Sequence, residues 1–209
     1  MRILASVSDE TRRVQVVERL ADGARHYLDS GVLYTSIDAD GVNAVPYIAA
    51  MADALPRRGR ILVLGTAGGA LPSLLHATGA AVTAVDIWSG AFTLARTWFH
   101  MPTDVECVTS DAAGFIAQTQ ESWDAIAIDV FDGVNIPPAL LRQAFAQGLA
   151  RVIAPGGLVV WNVAAGLWET ETLAVTETLY AAGFEARARS VYGDERLANT
   201  LVFGARRKD

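Results

Sequence analysis

The segment from Ile61 to Asp86 constrains the fold more than any other part of the sequence. It contains a strand-like apolar run (ILVLG), a glycine-rich turn, a helical stretch, and a second strand-like run, AVTAVD, that ends in a carboxylate. Glycines permit a sharp turn and a close approach of the backbone to a ligand. An acidic residue at the end of the second strand is placed to accept hydrogen bonds from both hydroxyls of a ribose. The segment therefore predicts a β-α-β unit that binds a nucleoside-containing ligand.

Apolar strand-like runs alternate with amphipathic helical runs from about residue 60 onward. Near-continuous apolar strands are typical of a parallel sheet covered on both faces. Two final strand-like runs, EARARSVY and NTLVFGARR, are separated by a turn around Gly193-Asp194 and predict one antiparallel strand. We therefore expect a doubly wound, mostly parallel, seven-stranded α/β sheet. The other strands are predicted at 61–65, 81–86, 105–110, 125–130 and 157–163, and the helices at 70–78, 89–99, 111–118, 138–153 and 169–182.

The first 55 residues have a different pattern. Three short strand-like runs, VQVVERL, ARHYLDS and GVLYTSIDA, are separated by turn signals at Asp22-Gly23 and Ser30-Gly31. A helical run, NAVPYIAAMADAL, follows them. We predict a small β-hairpin appendage with a linking helix over 1–55, packed near the ligand crevice, and a nucleoside-binding Rossmann-like domain over 56–209.

Composition excludes several classes of protein. The net charge of −6 argues against a nucleic-acid partner, which usually needs a basic surface. The apolar runs are too short to span a bilayer, and the N-terminus lacks the apolar core of a signal peptide, so we expect a cytoplasmic protein without a membrane partner. The single cysteine, Cys107, precludes an internal disulfide. The three histidines show no metal-ligand spacing, and we predict no metal site.

Four carboxylates lie at the ends of three successive predicted strands. Asp86 ends the second strand, Asp111 follows the third, and Asp129 and Asp132 end and follow the fourth. Ligands of open α/β sheets bind outside the carboxyl ends of the strands, so we expect these four side chains on one rim. Asp111 also has the position of a helix N-cap, a role that it can combine with ligand binding. For Asp132, the alternative is a turn residue before Gly133.

The glycine turn indicates which nucleoside ligand to expect. Gly65-Thr66-Ala67-Gly68-Gly69 does not match G-x-G-x-x-G, and no Walker lysine is present, so a dinucleotide or nucleoside triphosphate is disfavoured. An adenosine ligand without a pyrophosphate fits better: S-adenosylmethionine or its decarboxylated form. The predicted binding residues are Gly65, Thr66, Ala67, Gly68, Asp86, Ile87, Asp111 and Ala112. Asp129 and Asp132 are predicted to orient an amine nucleophile beside the sulfonium and to accept its proton.

Five segments together resemble the spermidine synthase-like (polyamine aminopropyltransferase) family, a branch of the class I S-adenosylmethionine-dependent methyltransferase fold. They are LGTAGGALPSLL, AVDIWSGAFTLARTWF, SDAAGFI, WDAIAIDVFDG and VIAPGGLVVWNV. The resemblance implies that Asp86 binds the ribose, Asp111 contacts the adenine, Asp129 is the catalytic base and Asp132 is the second acid of the same D-x-x-D. It also implies that Gln15 lies near the donor and that the partner is a small-molecule amine. Members of the family often form homodimers through sheet edges and N-terminal strands, so a homodimer is a further expectation.

The sequence departs from the family pattern where the family recognises amines. Gly68 replaces an Asp of the glycine loop, Tyr47-Ile48-Ala49 replaces Tyr-His-Glu, and Leu33 replaces a Gln. Three functions therefore stay open: an aminopropyltransferase, a methyltransferase with the same donor site, and a non-catalytic nucleoside-binding relative.

Overall fold

The structure, a computed structural model, describes residues 1–8, 12–191 and 199–207. The N-terminal region forms a four-stranded antiparallel meander, in which each strand pairs with the next along the chain. Its strands are β1 (Arg2–Ser8), β2 (Arg13–Glu18), β3 (Arg25–Asp29) and β4 (Val32–Ile37). The helix α1 (Pro46–Ala54) follows this sheet.

The larger sheet has seven strands in the order β10-β11-β9-β8-β5-β6-β7. All neighbours are parallel except that β11 is antiparallel to both β10 and β9. The strand order reverses between β5 and β8, which is where ligands bind in such sheets. The elements in chain order are β5 (Arg60–Leu64), α2 (Ala70–Ala77), β6 (Ala81–Asp86), α3 (Ser89–Trp98), β7 (Glu106–Thr109), α4 (Ala112–Gln118), β8 (Trp123–Ile128), α5 (Gln143–Val152), β9 (Ile153–Val163), α6 (Thr170–Ala181), β10 (Glu185–Val191) and β11 (Asn199–Ala205).

Two apolar cores cover the two faces of this sheet. Successive residues of β5 alternate between them: Leu62 and Leu64 pack with α4, α5 and α6, whereas Ile61 and Val63 pack with α1, α2 and α3. Side chains of a strand point alternately to opposite faces, so a central strand buried on both sides reads as a continuous apolar run. A third, smaller core joins the N-terminal sheet to α3.

The predicted doubly wound, mostly parallel, seven-stranded fold with one antiparallel strand is confirmed. The predicted turns at Asp22-Gly23 and Ser30-Gly31 are present, with Gly23, Ser30 and Gly31 at positive φ. The turn placed at Gly193-Asp194 lies outside the described residues. The division into 1–55 and 56–209 stays a prediction, although Ile48 and Met51 of α1 already pack into the larger core.

Some elements differ from the sequence-based expectation; β9, for example, begins at Ile153 rather than at 157. The strand β1 was missed because it is a sheet edge with Ile3 60% exposed and so lacks a buried apolar face. The helix expected at 138–153 begins only at Gln143, since hydrogen-bonded turns at 137–142 carry Leu140 into the core. Among the helices of the described residues, none has the length and apolar character needed to cross a membrane.

Candidate active site

Gly65, Asp86 and Asp129 lie in one row across the carboxyl ends of three neighbouring strands. At the carboxyl end of β5, Leu64 pairs in register with Val85 of β6 and with Ile128 of β8. The pairing continues one residue further, because the Gly65 N–H donates to the Val85 carbonyl (2.9 Å) and the Asp129 N–H donates to the Leu64 carbonyl (2.8 Å). The two carboxylates therefore flank a residue without a side chain.

Gly65 is required at the centre of this row for two reasons. Its φ of +88° is unfavourable for residues with a Cβ, and a Cβ there would collide with the backbone carbonyl of Asp129. The turn thus passes close to the end of β8 and leaves open space above both strands. The sequence predicted a close approach of the backbone to a ligand; the structure shows that the backbone of Asp129 also approaches Gly65 closely.

The carboxylate of Asp86 holds the glycine turn in place. Oδ2 accepts from the backbone N–H groups of Thr66 (3.0 Å) and Ala67 (3.4 Å), and Oδ1 accepts from the Trp88 N–H (2.9 Å). A carboxylate offers about four acceptor sites, so it can also receive hydroxyl donors from a ligand. Asp86 therefore holds the turn in place, and its carboxylate, which lines the cavity, can still accept a further hydrogen bond.

Asp129 accepts hydrogen bonds from two polar side chains, and a third side chain holds one of these two. The Asn162 amide Nδ2 on β9 donates to Asp129 Oδ1 at 2.8 Å, and the Tyr47 hydroxyl on α1 donates to Oδ2 at 3.3 Å. Asn162 in turn accepts from Nδ2 of Asn199 on β11 at 3.0 Å. Asn162 is only 1% exposed, so the orientation of this amide is fixed by its partners and by packing.

Burial controls the acid–base properties of these groups. Desolvation raises the pKa of Asp129 from 3.8 to about 6, and the hydrogen bonds from Asn162 and Tyr47 oppose that rise. Burial, with the adjacent carboxylate, also raises the pKa of Tyr47 well above its usual value. Tyr47 is therefore a neutral hydroxyl donor at physiological pH, while Asp129 changes charge close to neutrality.

A cavity of about 390 Å³ opens above this row. The N-terminal sheet closes one side of it with Tyr27, Asp29 and Tyr34, and the Tyr34 hydroxyl donates to the Gly133 carbonyl at 2.6 Å. Burial raises the pKa of Tyr34 to about 12. Arg12 also lines the cavity, with its Nε 3.5 Å from Asp29 Oδ2 and its guanidinium 5.6 Å from the centre of the Trp88 ring.

Most of the predicted site residues lie on the wall of this cavity. They are Gly65, Thr66, Ala67, Asp86, Ile87, Asp111, Ala112, Asp129 and Asp132. Asp111 does cap α4, because Oδ1 accepts from the Gly114 N–H at 2.8 Å. Ile87 is 62% exposed, so its apolar side chain is accessible next to Asp86.

The two other predicted residues, Gln15 and Gly68, are not among the described residues that line this cavity. Gln15 is on β2 between the buried Val14 and Val16, whereas Arg12 reaches the cavity. Gly68 is buried beneath Thr35 of β4: its N–H donates to Thr35 Oγ1 at 3.1 Å, and a Cβ at residue 68 would lie 2.7 Å from Thr35 Cβ. A side chain at residue 68 would therefore displace Thr35.

Several residues of the site were missed from sequence. Asn162 donates to Asp129 and Asn199 donates to Asn162, while Arg12, Asp29 and Tyr34 line the cavity from the N-terminal region. Asn162 carried a usable signal, since it is the only polar side chain in GLVVWNV, at the end of a buried strand. The N-terminal residues carried none, because their position depends on how one sheet packs on the other.

The fold and the position of the site are those of a class I methyltransferase-like protein. A family model described as a methyltransferase domain matches residues 62–161, somewhat under half of the chain. The chain is 33% identical over 107 residues to a polyamine aminopropyltransferase of Chromobacterium violaceum, a match that covers 49% of this chain and 41% of that protein. The chain thus spans about two fifths of the length of this curated relative.

Two solved structures extend the similarity beyond the matched segment. A spermidine synthase from Thermotoga maritima superposes with a TM-score of 0.78 at 14% identity, covering 100% of this chain and 74% of that one. A probable spermidine synthase from Corynebacterium glutamicum superposes with a TM-score of 0.80 at 21% identity, covering 98% of this chain and 81% of that one. At these identities the superpositions establish the fold. Together with the sequence match, they confirm the resemblance to the spermidine synthase-like family.

Proposed function

We propose that this chain is a transferase that moves an aminopropyl group from an adenosyl sulfonium donor to an amine. One observation carries the proposal: a carboxylate that titrates near neutrality, Asp129, lies beside the glycine turn and in the same cross-strand row as Asp86. The first carboxylate has the properties of a general base, and the second those of a ribose ligand. The names of the curated relatives support the same reaction class.

The residues of the cavity fit such a donor. Asp86 provides acceptors for ribose hydroxyls, Ile87 provides an apolar contact for adenine, and Asp111 retains an oxygen beyond its capping bond. The hydroxyl Oγ1 of Thr66, which is 6% exposed, has no hydrogen-bond partner among the described residues. Among the described residues, five carboxylates and one guanidinium, that of Arg12, line the cavity, and this excess of negative charge favours a cationic ligand.

The proposed step uses no group beyond donor, acceptor and protein. The nitrogen lone pair of the amine attacks the aminopropyl carbon bound to the sulfonium; the new N–C bond forms as the C–S bond breaks. The C–S electron pair goes to sulfur, which leaves as the neutral thioether of methylthioadenosine. Asp129 accepts the proton that the amine loses, and Tyr47 and Asn162 hold its oxygens towards the reacting nitrogen. Catalysis is then positioning together with proton transfer.

A methyltransferase with the same donor site is the second candidate. Gly68 favours methyl transfer, because it provides no carboxylate to bind the amine of decarboxylated S-adenosylmethionine. Thr35 packs against the position that a side chain at residue 68 would occupy. Intact S-adenosylmethionine, which carries its own carboxylate, does not need that partner. The match to a methyltransferase domain over residues 62–161 is compatible with this reaction.

Product analysis with both donors distinguishes these functions. The protein is incubated with either S-adenosylmethionine or its decarboxylated form, together with a panel of diamines and polyamines. Methylthioadenosine that depends on the amine supports aminopropyl transfer, and S-adenosylhomocysteine supports methyl transfer. Calorimetry with the same donors is run in parallel. Donor binding without either product would indicate a non-catalytic nucleoside-binding protein, and no binding of either donor would contradict the donor assignment.

A further inference from the structure

Asn199 is not among the described residues that line the cavity, but it is linked to the proposed base through one intermediate residue. Its Nδ2 donates to Oδ1 of Asn162 at 3.0 Å, and Nδ2 of Asn162 donates to Asp129 Oδ1 at 2.8 Å. Asn199 is in β11, Asn162 is in β9, and Asp129 directly follows β8; these three strands are adjacent in the sheet. The hydrogen-bonded link therefore runs across three adjacent strands, perpendicular to the strand direction.

The strand register explains why the two amides meet. Asn162 pairs with Leu201 across the antiparallel β9–β11 ladder. Asn199 lies two residues before Leu201 and so projects from the same face as a diagonal neighbour of Asn162, within reach of a side-chain hydrogen bond. On the other side, the pairing of Trp161 with Ile128 places Asn162 next to Asp129. No part of the link requires a loop to adopt a special conformation.

An asparagine amide can point either its N–H₂ or its carbonyl towards a neighbour, and the two orientations have opposite effects on a carboxylate. The N–H₂ stabilises the anion by hydrogen bonding, whereas the carbonyl oxygen repels it. Asn162 is buried, so water cannot substitute for a lost partner. A donor at residue 199 fixes the carbonyl of Asn162 on the side of β11 and therefore fixes the N–H₂ on the side of Asp129.

We propose that Asn199 is a positioning residue, which orients the amide of Asn162 so that its N–H₂ group faces the carboxylate of Asp129. The β10–β11 hairpin thereby contributes to the acid–base chemistry of a site that it does not line. The inference rests on the proposed function only for the role of Asp129 as a base. The hydrogen-bonded link itself can be tested without any turnover.

The direct test is the titration of Asp129 followed by carbon NMR of aspartate side chains. The Asp129 carboxyl signal is identified by its absence in Asp129→Asn, and its midpoint is expected at about 6 in the parent chain. We expect Asn199→Ala and the bulkier Asn199→Leu to raise the midpoint by roughly half to one pH unit, because the anion loses an oriented donor. Asn162→Ala should raise it at least as far.

The double variant Asn162→Ala/Asn199→Ala tests whether the two residues act in series. We expect the same midpoint as for Asn162→Ala alone, because Asn199 acts only through Asn162. The matched control is Thr200→Val, which removes a buried bond from Thr200 Oγ1 to the Ala165 carbonyl (2.8 Å) on the opposite face of β11. It should lower the melting temperature and leave the Asp129 midpoint unchanged.

An unchanged midpoint in both Asn199 variants would overturn the inference, as would a further rise on adding Asn199→Ala to Asn162→Ala. If Thr200→Val shifted the midpoint as far as the Asn199 variants do, the shift would come from general destabilisation of β11, and the inference would be overturned. The outcome for the proposed function is separate. If the parent chain forms no transfer product with either donor, the role of Asp129 as a base fails, while the titrations still decide whether Asn199 orients Asn162.

Discussion

Gly65 packs against the backbone carbonyl of Asp129, so that the glycine turn of β5 and the end of β8 meet without an intervening side chain. This contact determines how far apart Asp86, the proposed ribose ligand, and Asp129, the proposed base, are held. A residue with a Cβ at this position would have to separate the two strand ends. The geometry of the site therefore depends on one backbone position, and this dependence can be measured.

Gly65→Ala is expected to destabilise the protein by about 3 kcal/mol or more, since it combines an unfavourable positive φ with a steric clash. Gly79→Ala is the matched control, because Gly79 has a similar φ of +93° but open space around its Cβ position. It should cost about 1 kcal/mol. Chemical denaturation of both variants measures the difference. Equal losses would show that the contact with Asp129 contributes nothing.

Asp129 should make the folded state less stable at neutral pH than in mild acid. Its folded pKa of about 6 exceeds the ordinary value of 3.8, so the folded state binds the proton more tightly than the unfolded state does. The resulting stabilisation of the folded state is fully present below pH 3.8 and is lost as the pH rises through about 6. Asp129→Asn removes this loss and should be about 1–3 kcal/mol more stable than the parent at pH 8.

Thermal denaturation between pH 4 and pH 8 checks this linkage. We expect the difference between Asp129→Asn and the parent chain to grow with pH and to level off above about pH 7, beyond the titration of Asp129. Asp132→Asn serves as the comparison, because Asp132 is exposed at the same rim. A constant difference across the pH range would contradict the raised pKa of Asp129.

The same substitution should separate binding from turnover. Asp129→Asn keeps a side chain of the same size and leaves Asp86 unchanged, so donor affinity should stay within a few-fold of the parent. Loss of a general base typically lowers the rate by about 10²–10⁴-fold. In the parent, kcat/KM should fall as the pH drops below about 6, where Asp129 becomes protonated. Unchanged turnover in Asp129→Asn would exclude Asp129 as the base.

Asp86→Ala should abolish detectable nucleoside binding, with affinity reduced by about 10²-fold or more, because hydrogen bonds to a charged group contribute about 1.5–3 kcal/mol each. Part of this loss would come from the turn, since Asp86 also accepts from the Thr66 and Ala67 N–H groups. Methylthioadenosine titrated into the protein by calorimetry measures the affinity. Asp104→Ala, at an exposed carboxylate paired with His76, is the control and should bind normally.

The sequence predicted the parts of this site that depend on local pattern. The carboxylates at the ends of β6 and β8 follow from apolar runs that stop at an acidic residue, and the turn at Gly65 follows from its glycines. What the sequence could not predict depends on contacts between distant segments. Neither the orientation of Asn162 by Asn199 nor the seating of Thr35 on Gly68 leaves a periodic signal, because each joins elements far apart in the chain.

The contact between Thr35 and Gly68 predicts how donor preference can be changed. Gly68→Asp alone should destabilise the fold by about 1–3 kcal/mol, because the new Cβ would lie 2.7 Å from Thr35 Cβ. Thr35→Gly/Gly68→Asp removes that clash and leaves a carboxylate at the turn. We expect the double variant to recover stability relative to Gly68→Asp and to bind decarboxylated S-adenosylmethionine more tightly, relative to intact S-adenosylmethionine, than the parent does.

Calorimetry with both donors on the parent, Thr35→Gly and the double variant tests this preference. Thr35→Gly alone should not change the ratio of the two affinities, because it adds no charge. The carboxylate at residue 68 should change the ratio by about tenfold, corresponding to roughly 1.4 kcal/mol for a new ion pair near the donor amine. If the double variant folds and the ratio equals that of the parent, residue 68 does not face the donor tail, and the choice between aminopropyl and methyl transfer must be determined elsewhere in the cavity.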